Sequence, residues 1–334
     1  MAARKGHFMR LDDKTILSIA RNCLSVEKTE NGLLPIRFTE RQLETYYSQE
    51  AWKIRSRCPS GVCLDMVSDT GSIAIDYETG GRARNWAYFD LYVDGALTAH
   101  AGNRQAPVRD RAEFTFSGEK KERRITIYLP HCIEIFIRGI EVHDNARVCP
   151  APLQPRKLLM LGDSITQGME ALHPSSTYPV QVARFFDAEL LNHGIGGYVF
   201  DEQVIDGTMP FVPDLVTVAY GTNDWNRFQQ LSDFRSNCSA FLKKLTSVCS
   251  RAPIFVITPV WRSDNGEIKG CGTFKDVADT ITDCCSPYSK IKVVDGLKLV
   301  PQMPEYFGDA RLHPNDAGFG FYAVNLIKAM QSEL

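Results

Sequence analysis

Ser164 lies in the run Leu158-Leu159-Met160-Leu161-Gly162-Asp163-Ser164-Ile165-Thr166-Gln167-Gly168, where four apolar residues give way abruptly to Gly-Asp-Ser. Such a run reads as a short strand, so the serine falls just beyond a strand's carboxyl end, where an exposed hydroxyl has room to react. A serine hydroxyl becomes an effective nucleophile once a base takes its proton, and a neutral imidazole suits that task at physiological pH. The same residues would also serve as a plain helix start capped by Asp163 or Ser164. Seven histidines could supply the base: His7, His100, His131, His143, His173, His193 and His313. His313 lies in Leu312-His313-Pro314-Asn315-Asp316, directly before the last expected helix, and could equally be a surface or structural residue. His193 is the rival base, and no ligand residue near it in sequence points to a metal role.

Two further blocks join these: Asn192-His193-Gly194-Ile195-Gly196-Gly197, and Gly221-Thr222-Asn223-Asp224 at the end of a strongly apolar stretch. Together, Gly-Asp-Ser-Ile, Asn-x-Gly-x-x-Gly, Gly-x-Asn-Asp and His-Pro resemble, in order, the motifs of the SGNH (GDSL-like) hydrolases. The resemblance covers about residues 157 to 334. It implies Ser164 as nucleophile, His313 as general base, and an oxyanion hole made from the backbone N–H of Ser164, the backbone N–H of Gly197 and the Asn223 side-chain amide. Glycine permits close backbone approach, and an asparagine amide donates without bringing charge. The orienting acid departs from the pattern. The family's aspartate stands three residues before the histidine, whereas Asp309 stands four before His313, with Ala310 in the expected place. Either a one-residue bulge brings Asp309 to the ring and completes a triad, or a backbone carbonyl holds the ring in a Ser-His dyad.

In the first half, Tyr88-Phe89-Asp90-Leu91-Tyr92-Val93-Asp94-Gly95 is similar to the GxDLY signature found ahead of some SGNH esterase domains, with tyrosine in place of glycine. Esterases built this way include carbohydrate deacetylases. Trp86, Tyr88 and Tyr92 could stack on a sugar, although aromatics at alternating strand positions belong more often to a core.

These residues need elements to position them. From about 62 to 143 short runs alternate apolar and polar, as in Ile73, Ile75 and Tyr77, in Ile125, Ile127 and Leu129, and in Ile133, Ile135 and Ile137. That period predicts half-buried antiparallel strands and a β-sandwich. Asp12 to Leu24 and Thr39 to Ser48 read as short helices or lead-in. Pro150, Pro152 and Pro155 mark a linker over 144–156. Apolar strands then recur at Leu190-Leu191, Leu215 to Tyr220, Ile254 to Ile257 and Ile291 to Val294. Helical stretches separate them: Tyr178 to Ala188, Ser232 to Cys249, Phe274 to Cys284 and a final one near Asn315 to Gln331. Alternation of this kind argues for a parallel sheet covered on both faces. The expected fold is therefore a flavodoxin-like three-layer α/β/α SGNH domain over 151–334, preceded by a jelly-roll-like, carbohydrate-binding-like β-sandwich over 1–150.

At 334 residues two domains are the natural reading, and 44% hydrophobic with 23% charged residues is an ordinary globular composition. A net charge of −2 offers no basic stripe for nucleic acid. The mixed Lys120-Lys121-Glu122-Arg123-Arg124 cluster reads as a hairpin end in solvent. No apolar run is long enough for a membrane span, and the polar segment after Met1–His7 is unlike a secretory leader. Ten scattered cysteines match neither a zinc nor a redox spacing, so reduced thiols and a cytoplasmic setting are expected. There is no G-x-S-x-G elbow and no nucleotide-binding loop. The expected activity is hydrolysis of a small acyl ester, acetyl, on a carbohydrate-like acceptor, with no metal or organic cofactor and no nucleic-acid or membrane partner. Lipid or thioester acylhydrolysis on the same site and non-catalytic carbohydrate binding are the alternatives. Oligomeric state stays open.

Overall fold

A computed structural model of the chain describes residues 8–334; His7 and the rest of the leading segment lie outside them. Two compact units emerge. One takes the chain up to Arg37, Arg57–Leu153 and His173–Ser175; the other takes Phe38–Ser56, Gln154–Leu172 and Ser176–Leu334. The division is less simple than one cut between 150 and 151. Phe38–Ser56 goes with the second unit because its polar groups are satisfied there. The helix Glu40–Tyr46 opens with a Thr39/Gln42 capping box. Thr39 Oγ1 then donates to Asp206 at 2.6 Å, and the Gln42 amide donates to the Val204 carbonyl at 2.7 Å.

The first unit is built from two antiparallel sheets. One has the order Ser25–Thr29, Gly32–Ile36, Ile133–His143, Ser72–Arg82, Arg109–Thr115, and the other Val148–Pro150, Cys63–Ser68, Arg123–Tyr128, Ala87–Val93, Ala96–Asn103. Their apolar faces make one core containing Ile73, Ile75, Tyr77, Phe89, Leu91, Ile125, Ile127, Ile133, Ile135 and Ile137, which is the alternation read from sequence. Part of the expected linker is a strand. Pro150 is accommodated because Val148–Pro150 is the outer strand of its sheet. Arg123 and Arg124 are strand residues too, and Arg124 reaches Asp65 at 2.6 Å, so only the lysine end of that basic cluster is a loop. Tyr92 is buried edge-on against Tyr128, while Trp86 and Tyr88 are half-buried.

The second unit is a five-stranded parallel sheet. Its strands are β1 (Arg156–Gly162), β2 (Ala188–Gly194), β3 (Leu215–Ala219), β4 (Ile254–Ile257) and β5 (Ile291–Val294), in the order β2-β1-β3-β4-β5. That is the flavodoxin-like order, and right-handed crossovers put the connecting helices on opposite faces. Accordingly the helix α2 (Tyr178–Phe185) packs with α6 (Asp316–Gln331), and α4 (Leu231–Val248) packs with α5 (Phe274–Cys285). Two short helices, α1 (Ser164–Gln167) and α3 (Thr222–Arg227), start at the carboxyl ends of β1 and β3. Burial on both faces explains why β1 and β4 read as unbroken apolar runs: Leu158 to Leu161 and Ile254 to Ile257 are all buried. No helix among the described residues is long and apolar enough to cross a membrane.

Candidate active site

Ser164 is the first residue of α1. Asp163 caps that helix, its Oδ1 accepting the Ile165 N–H at 2.9 Å, so the capping role falls to Asp163 rather than to Ser164. As the first helical residue, Ser164 has an N–H with no intrahelical acceptor. Thr166 Oγ1 and Tyr178 Oη, 2.7 Å apart, pin the helix from below. Burial pushes Asp163 up to about 7, against the lowering effect of the Ile165 N–H, and neighbouring Asp224 adds to the rise.

His313 Nε2 is 2.8 Å from Ser164 Oγ, and His313 Nδ1 is 2.7 Å from Asp309 Oδ2. The extra residue between acid and base is absorbed by Ala310, which sits in the left-handed region at φ +54°. That conformation costs a non-glycine residue about 1–2 kcal/mol. The turn compensates with hydrogen bonds. Asp309 Oδ1 accepts the N–H groups of Arg311, Leu312 and His313 at 3.0, 2.8 and 3.1 Å, leaving Oδ2 for the ring. The Gly308 N–H to His313 carbonyl bond, 2.8 Å, closes the loop. Burial pushes the Asp309 carboxyl up, but the His313 ring and the backbone donors outweigh it and hold the group well below the usual carboxylate range. His193, the rival base, is buried in β2 with its ring 4.4 Å from Phe38.

The second block runs beside Ser164 because β1 and β2 are in parallel register, Gly162 opposite Gly194. A Cβ at Gly194 would run into the backbone of Thr166 and Gln167, so only glycine permits this approach. Asn192 bridges the two segments, donating to the Thr166 carbonyl and accepting from the Gly194 N–H, both at 2.8 Å. Gly197 has φ +76°, which turns the chain at the expected oxyanion position.

Asn223 lies in the first turn of α3, half-buried. Its amide nitrogen is 3.1 Å from the Tyr198 carbonyl and 3.3 Å from Asp163 Oδ2, so both amide protons have protein acceptors. The contact with Asp163 is the longer, and an oxyanion would share these protons. Asp224, by contrast, is fully buried and holds backbone, accepting the N–H groups of Phe200 at 3.0 Å and Gly221 at 2.9 Å; burial pushes it up to about 7 even so.

Several supporting residues carry no sequence signal. Arg55 donates to the Gly196 carbonyl at 2.7 Å, and the Arg227 guanidinium lies 5.0 Å over the Trp52 ring beside Gly197. Arg262, 1% exposed, donates to Thr222 Oγ1 at 3.0 Å and forks onto Asp264, which also accepts from Arg311 at 2.8 Å. This ionic link, buried at Arg262 and exposed at Arg311, ties the start of α3 to the Asp309–His313 turn. Position after β4, at the reactive edge of the sheet, was the one available hint.

Known proteins share parts of this sequence and its fold. Residues 160–320 match the GDSL-like lipase/acylhydrolase family. No curated protein matches the chain by sequence. Among solved structures, it is similar to a salicylyl-acyltransferase from a tetracycline biosynthetic pathway (18% identity, 99% of this chain and 98% of that one, TM-score 0.82). It is also similar to a putative GDSL-like lipase from Bacteroides ovatus (16%, 98% of each chain, TM-score 0.77). A third likeness is to an acetyl xylan esterase from the rumen bacterium Butyrivibrio proteoclasticus (16%, 98% of each chain, TM-score 0.64). Residues 160–320 therefore form a GDSL-like lipase/acylhydrolase domain, which makes the protein a carboxylic ester hydrolase.

Proposed function

We propose that the protein removes a small acyl group, acetyl, from a carbohydrate-like acceptor through an acyl-serine intermediate. The observation that carries this reading is the unbroken line from Asp309 Oδ2 through the His313 ring to Ser164 Oγ, with links of 2.7 and 2.8 Å. His313 takes the Ser164 proton as the oxygen attacks the ester carbonyl, and Asp309 steadies the imidazolium that forms. The N–H groups of Ser164 and Gly197 and the Asn223 amide receive the oxyanion. Collapse expels the acceptor alcohol with the proton from His313, and water repeats the cycle to free the acid. The sugar acceptor is supported by the whole-length fold likeness to the acetyl xylan esterase.

A second reading is acyl transfer, favoured by the higher similarity to the salicylyl-acyltransferase. There the same acyl-serine would pass to an alcohol instead of water. Acid release from acetyl, butyryl and octanoyl esters, each on simple and sugar acceptors, separates the cases. Acetyl sugar esters are expected to turn over fastest, with rates falling as the acyl chain lengthens. Preference for octanoyl would replace this reading with lipid acylhydrolysis. Formation of a new ester, in excess of free acid, when an alcohol is added would favour transfer.

A further inference from the structure

Outside the serine site, the first unit brings together Asp90, His100 and His173 so that one ligand atom from each lies within 4.8 Å of the others. We propose that these three side chains bind a divalent transition-metal ion such as zinc, independently of the esterase reading. Asp90 lies on the strand Ala87–Val93 with its neighbours Phe89 and Leu91 turned into the sandwich core, so it projects from the opposite face. It is nonetheless fully buried.

The carboxylate is divided between two tasks. Oδ2 accepts the Ser175 N–H at 2.8 Å, while Oδ1 alone faces both imidazoles, 2.6 Å from His100 Nδ1 and 3.2 Å from His173 Nδ1. A buried carboxylate calls for positive charge beside it. A divalent cation supplies that charge, and two imidazole nitrogens with one carboxylate oxygen form a donor set that suits zinc and its neighbours. Tetrahedral zinc with bonds of about 2.0–2.1 Å spaces its ligand atoms about 3.3 Å apart. The His173 separation already fits. His100, whose side chain is 38% exposed, must withdraw by about 0.7 Å to reach that spacing. His173 is 21% exposed, so an ion has an approach from solvent. The Ser175 bond to the remaining oxygen is the kind of outer contact that orients a ligating carboxylate. The metal would fasten the His173–Ser175 segment to the strand.

The test uses the full chain, stripped with chelator and titrated with Zn²⁺ and with Co²⁺ as a spectroscopic stand-in. One equivalent is expected to bind, with a Co²⁺ spectrum of nitrogen and oxygen ligation and no thiolate charge-transfer band. His100→Ala and His173→Ala should each weaken binding by at least about 100-fold, and added Zn²⁺ should raise the Tm of wild type but not of the variants. His100→Gln, at a partly exposed position, removes the imidazole while keeping a polar side chain, and its Tm without metal checks that it folds. Cys149→Ser, which removes the exposed thiol, should leave binding unchanged. Absence of a stoichiometric site in wild type, or unchanged affinity in His100→Gln and His173→Ala, would overturn the assignment.

Discussion

Asp309→Asn is expected to lower kcat by up to ~10⁴-fold, the loss that a wrong histidine tautomer causes in a serine triad. The turn around Asp309 makes this outcome unusually determinate. Oδ1 serves three backbone donors, from Arg311, Leu312 and His313, so the amide oxygen of an asparagine must occupy that place. The amide NH₂ is then left at the Oδ2 position, 2.7 Å from His313 Nδ1 in the native chain. A donor there requires Nδ1 to be an unprotonated acceptor, which puts the ring proton on Nε2, facing Ser164. A ring protonated at that position cannot take the serine's proton. His313→Ala, measured alongside, sets the scale of a missing base. If a folded Asp309→Asn enzyme kept kcat within about tenfold of wild type, the carboxylate would not be orienting the ring, and a dyad would describe the site better.

Asn223→Ala is expected to reduce kcat by ~10²–10³-fold, equivalent to ~2.7–4 kcal/mol of transition-state stabilisation, with a smaller change in KM. In the resting protein the amide is held by the Tyr198 carbonyl and Asp163, which fixes its direction before substrate arrives. Donors already oriented cost no rearrangement as charge develops, so the loss belongs to kcat. Steady-state kinetics on a variant of normal Tm provides the check. A near-normal kcat would remove Asn223 from the oxyanion hole.

Much of the fold was legible because burial on both faces leaves unbroken apolar runs, as in Leu158 to Leu161, and burial mainly on one face leaves alternation, as in Arg124 to Ile127, where Ile125 and Ile127 are buried and Arg124 and Thr126 only partly so. The four motif blocks were legible because a parallel sheet gathers the carboxyl ends of its strands at one edge. What escaped notice depends on contacts distant in sequence or on rare backbone. Gly32–Ile36 is a strand despite Pro35, which lacks a backbone donor; Pro35 pairs there with Val26, and on its other side the strand meets Ile133–His143 only at Leu33. The membership of Phe38–Ser56 in the second unit rests on partners near Asp206 that its own pattern does not announce. Arg262 and Arg55 are charged residues whose roles come from partners far along the chain. Ala310 hides the reach of Asp309, because a left-handed turn is signalled by glycine or asparagine and seldom by alanine.

The central claim is that Ser164 forms the covalent intermediate. A fluorophosphonate probe followed by peptide mass spectrometry tests it most directly. The account predicts one adduct, on the peptide containing Ser164, lost in both Ser164→Ala and His313→Ala. Modification of another residue, or full esterase activity from protein that takes up no probe, would contradict it.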